Sequence, residues 1–64
     1  MELNTKEILK KKILDAQEMV RDYETYSKKV EDAEVADLFK DFALESGYQA
    51  RKLQDMLKKL EKNR

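Results

Sequence analysis

The chain has no cysteine, no histidine, no proline and no tryptophan, and a single glycine among its 64 residues. Each absence excludes something. Without cysteine there is no disulfide and no thiolate metal site, and the expectation is a protein of a reducing compartment, the cytoplasm. Without histidine or cysteine, nucleophilic catalysis lacks both its commonest base and its strongest nucleophile. No glycine-rich loop is present to cradle a phosphate, and no spacing suits zinc. The start, Met1-Glu2-Leu3-Asn4-Thr5, has no basic region followed by an apolar stretch, so no secretory signal is expected. No run approaches the ~18 apolar residues of a membrane span. Fourteen basic residues balance fourteen acidic ones, and a neutral chain is not drawn as a whole to nucleic acid or anionic membrane. The expectation is therefore a protein that is not an enzyme, with no cofactor, no metal site and no membrane partner.

What is present points to helix. Charged residues make up 44% of the chain, and nothing in its interior forbids helix. Asn4 is a good N-cap, with Glu7 three residues on as in a capping box. Leu3 and Ile8 hold the two positions of a hydrophobic staple. Apolar or small residues then recur at Leu9, Ile13, Ala16, Val20, Tyr23, Ser27 and Val30, with steps of four and three. This is the a/d seam of a heptad, and Met19 and Tyr26 widen it on one flank. A second seam runs Ala36, Phe39, Ala43, Ser46, Ala50, Leu53, Leu57 and Leu60, flanked by Val35, Phe42, Gln49 and Met56.

The two seams are out of phase. Continuing the first would require apolar residues at positions held by Glu34 and Asp37. From Val30 to Phe39 is nine residues, about 180° of helical rotation, so one unbroken helix would carry its stripes on opposite sides. A turn resolves the conflict, with Asp32 the best N-cap for the second helix. The sequence thus predicts one all-α helical-hairpin domain over 1–64: helix 1 about 5–30, turn about 30–33, helix 2 about 33–62. Asn63 is the candidate C-terminal cap. Gly47 falls inside the second helix, where it marks either simple tolerance or a close backbone approach.

Three inward positions per heptad form a wider strip than one neighbouring helix covers. Leu9, Ile13, Val20, Tyr23, Tyr26, Phe39, Phe42, Ala50, Leu53, Leu57 and Leu60 make up the core and dimer face. The expected solution is two hairpins paired as a homodimeric four-helix bundle with coiled-coil-like packing. Lysines at 10, 11, 12, 58, 59 and 62, with Arg64, gather at the open end; Glu31, Asp32, Glu34, Asp37 and Asp41 gather near the turn. An antiparallel pair sets acidic ends beside basic ones. Leu38, Leu44 and Tyr48 lie off the seam and form a candidate second interface, to a higher oligomer or to another protein.

Asp32-Ala33-Glu34-Val35-Ala36-Asp37-Leu38-Phe39 and Ala43-Leu44-Glu45-Ser46-Gly47-Tyr48-Gln49-Ala50-Arg51-Lys52-Leu53 together resemble the second helix of ferritin-like and rubrerythrin-like hairpins. The resemblance implies half of a four-helix bundle. It also implies a departure. Where that family carries its Glu-x-x-His ligands, this chain has Ser46 and Gln49, and the first-helix ligand position falls near Met19. These three are vacated ligand positions. No acidic residue holds an a, d or g place in either stripe, and Glu18 and Glu45 are placed outward, so no di-iron centre is expected. Ser46 and Gln49 are expected to form a hydrogen-bonded polar layer.

The function this supports is a non-catalytic structural or protein-interaction module, a ligand-less relative of ferritin-like proteins. Two alternatives stay open. One is an RNA-binding hairpin dimer using Lys10, Lys11, Lys12, Lys58, Lys59 and Lys62 as phosphate contacts. It is not favoured, because the net charge is zero and no exposed aromatic ladder is evident. The other is a metal-binding ferritin-like protein with atypical ligands.

Overall fold

The computed structural model describes residues 3–62. Two helices account for most of them: α1, Thr5–Ser27, and α2, Ala33–Lys62. They lie side by side as a hairpin. None of the described helices is long and apolar enough to cross a membrane. Asn63 and Arg64 lie outside the described residues.

Both helix starts are capped by side chains. The Glu7 amide donates to Asn4 Oδ1 at 2.9 Å, and the Val35 amide donates to Asp32 Oδ1 at 3.0 Å. Each bond satisfies one of the four amides that a helix N-terminus leaves unpaired. Glu7 reaches back only to the Asn4 side chain, which donates to it at 3.4 Å, so the box closes between side chains. Leu3 and Ile8 both remain about half exposed.

The first helix ends at Ser27, three residues before the expected boundary near Val30. The Ser27 hydroxyl donates to the Glu24 carbonyl at 2.8 Å. The Tyr26 carbonyl accepts from both Lys29 and Val30 at 3.0 Å, tightening the last turn. Ser side chains compete in this way for helix carbonyls. The turn therefore occupies residues 28–32. No described residue has positive φ, which is why no glycine is needed to make it. Val30 still reaches the seam, half buried, from within the turn.

The seam is built from small side chains. Its buried residues are Ile13, Ala16, Ser27, Ala43, Ser46 and Ala50. The larger members, Leu9, Val20, Tyr23, Phe39, Leu53, Leu57 and Leu60, are half buried. Toward the turn, the Tyr23 ring packs on Phe39 and Phe42 with centroids 5.4 and 5.3 Å apart, tilted on the first and edge-to-face on the second, as aromatic pairs favour. No large side chain is fully buried among the described residues.

Gly47 is not required by close packing. A Cβ built there meets only Val20 Cγ2, at an ordinary 4.0 Å. Gly47→Ala should therefore raise stability by about 0.5–1 kcal/mol through helix propensity. Asp32→Ala should lower it by about 0.5–2 kcal/mol through the lost cap. Thermal melts followed by circular dichroism at matched concentration check both. A Gly47→Ala variant that melts lower would show a backbone contact at this position.

Candidate functional site

Heptad position decides which side of the hairpin is apolar. In an antiparallel pair the g positions of both helices fall on one side and the e positions on the other. The e side carries Lys10, Gln17 and Glu24 from α1 and Lys40, Gly47, Gln54 and Glu61 from α2, and is polar. The g side carries Met19, Tyr26, Val35, Phe42 and Met56, with Lys12 and Gln49 between them. Met19 is 43% exposed, Tyr26 53% and Met56 49%, values high enough to count this side as uncovered. Ile8 and Leu38, at the adjoining c positions, extend it.

A groove of about 260 Å³ opens in the middle of this side, lined by Met19, Tyr23, Phe42, Glu45, Ser46 and Gln49. Met19, Ser46 and Gln49, the three positions singled out in the sequence by resemblance, thus line one groove. They differ in depth: Ser46 is buried between the helices, whereas Gln49 and Met19 stand exposed on the groove wall. In the isolated hairpin Gln49 is therefore not part of a buried layer. Glu45, outward by heptad position, borders the groove as its one acid. Among the described residues, no group of three or more His, Cys, Asp or Glu is arranged to hold a metal ion.

The basic open end is partly self-neutralised. Asp15 sits 3.3 Å from the Lys12 ammonium and 3.5 Å from that of Lys11. The Lys12 hydrogen bond, aided by the charge of Lys11, holds the Asp15 carboxyl below its ordinary range. Such a carboxylate favours the folded state above the pH where a free Asp ionises, and the contribution disappears as acid protonates it. All three groups are exposed, so salt screens the effect. Lys10, Lys58, Lys59 and Lys62 are likewise exposed.

Leu44 and Tyr48 are 64% and 67% exposed on the outer surface of α2, and Leu38 lies round toward the groove side. Leu14, 61% exposed on α1, was not singled out by the sequence pattern, since a lone apolar residue at a b position carries no periodic signal. No protein-family model matches the chain, and comparison with curated proteins and with solved structures found no match.

The different depths of Ser46 and Gln49 give a direct test. Ser46 belongs to the tight Ala and Ser layer, so Ser46→Leu overpacks the seam and should cost about 1–3 kcal/mol. Gln49→Leu adds to an open face and should not lower the melting temperature. Parallel thermal melts decide it; equal destabilisation by the two variants would place Gln49 inside the seam.

Proposed function

We propose that this chain is a non-catalytic assembly module whose hairpin is one half of a four-helix bundle, completed by a second copy. One observation carries the reading: the hairpin is a single layer with an apolar side that its own two helices leave uncovered. Its Cα atoms extend 49 × 24 × 12 Å, so it is one helix thick. Domains ordinarily need two packed layers to enclose a core.

The surface area supports the same conclusion. The chain exposes 5576 Å², whereas a compact monomer of its 7.6 kDa mass exposes roughly 4,300 Å². The excess exceeds the ~800 Å² per partner that a standard stable interface removes. A second copy fits because it offers the same self-complementary face, and symmetric pairs are the commonest oligomers. The ferritin-like resemblance of α2 agrees with this architecture. The residues at its ligand positions, Met19, Ser46 and Gln49, offer a thioether, a hydroxyl and an amide in place of carboxylates and imidazole. The reading therefore assigns the groove to packing and not to iron chemistry.

Sedimentation equilibrium across the micromolar range should give twice the chain mass, with helical content retained. A well-folded monomer throughout that range would contradict the assembly reading. Metal analysis after growth with iron should find no stoichiometric metal; bound iron at one or two per dimer would overturn the non-metal assignment.

A further inference from the structure

The assembly reading leaves open how the two copies are arranged, and the groove side contains enough to decide. We propose that the copies pack open side to open side in antiparallel orientation, about a two-fold axis running through Met19 and Gln49. The inference rests on the assembly reading and extends it to a register and a set of pairing residues.

Three observations carry it. Met19 and Gln49 line the same groove, so one perpendicular axis can pass near both. Each is also a g residue with another g residue two turns to either side. On α2, Phe42 and Met56 lie seven residues, two turns, to either side of Gln49. On α1, Lys12 and Tyr26 lie seven residues to either side of Met19. In antiparallel helices, residues equidistant from the axis in opposite directions meet. Phe42 then packs on the partner's Met56, a ring against a thioether, which is a favourable contact. Lys12 meets the partner's Tyr26, placing an ammonium against an aromatic ring. The two Gln49 amides meet each other, each able to donate to and accept from its mate.

The charges bordering the apolar strip select the same register. Glu45 and Lys52 both hold c positions of α2, four residues before and three after Gln49. About the same axis, Glu45 of each copy faces the partner's Lys52, giving two equivalent ion pairs. The competing arrangement, with both turns at one end, fails here. Lys12 and Lys52 line one depression beside Gln49. A pair with its turns together sets this lysine couple against the identical couple of the other copy. The antiparallel pair instead sets Lys52 toward the partner's Glu45. Like charges in contact across an interface exclude arrangements more effectively than opposite charges reward them.

The test uses the absence of cysteine, which allows a single label site. A spin label on Glu34→Cys, at the exposed start of α2, reads the distance between copies. The antiparallel register places the two labels about 45 Å apart along the bundle, at 1.5 Å per residue from Gln49. Turns at one end bring them within about 25 Å, the width of the bundle. Charge reversal reads the pairing residues independently. Lys52→Glu should raise the dimer dissociation constant roughly tenfold at low salt, and adding Glu45→Lys should restore it.

A long distance together with rescue supports the proposal. A dimer with the short distance overturns the register and leaves the assembly reading intact. A long distance without rescue overturns the Glu45–Lys52 pairing. A chain that stays monomeric, with no distance to read, defeats both this inference and the reading beneath it.

Discussion

The packing of small side chains along the seam, Ala16 and Ser27 on one helix and Ala43, Ser46 and Ala50 on the other, is what the rest of the molecule depends on. Small side chains let two long helices lie side by side, and they are nearly the only residues the hairpin buries. The arrangement limits itself. Burying alanine and serine yields little of the roughly 25 cal/mol per Å² that apolar area contributes. The residues with more to contribute, Phe39, Phe42, Tyr23, Leu53 and Leu57, stay half wet. Chains of this length rarely hold a fold by more than ~3–5 kcal/mol even with a closed core. Without cysteine no disulfide supplements it. Further packing is the remaining source of stability, and the g side is where it can occur.

This also explains how one stretch can resemble a metal-binding helix without carrying that helix's ligand residues. A helix of a four-helix bundle must present an inward stripe whether or not that stripe carries ligands. The seam and flank of α2 preserve the stripe. At the positions that the resemblance singles out, the chain has a buried hydroxyl at Ser46 and an exposed amide at Gln49. A polar residue at one layer of an otherwise apolar interface can fix alignment at some cost in stability, and Gln49 is placed for that role.

Much of the fold was legible in the sequence, because the heptad spacing is strict. The seam positions are the buried and half-buried ones, and the phase break between Val30 and Phe39 located the turn. Asn4 and Asp32 act as the caps their residue types suggested. The end of α1 was less legible: the bond from Ser27 to the Glu24 carbonyl is a local competition that apolar periodicity does not register. Two further features needed coordinates. Spacing groups Ser46 with Gln49, but only the packing separates their depths, since g residues lie on the open side of the hairpin and d residues face the neighbouring helix. The open space at Gly47 was invisible to a pattern that records only that a glycine is there.

The central claim is that folding and self-association are one process. The concentration dependence of the thermal midpoint tests it most directly. If the half-buried side chains need a second copy, a hundredfold rise in chain concentration should stabilise the folded dimer by about 2.7 kcal/mol, about half of that per chain, and raise the midpoint by several degrees. A midpoint that is cooperative, high and unchanged over that range would mean that the single-layer hairpin is stable alone, and would contradict the account.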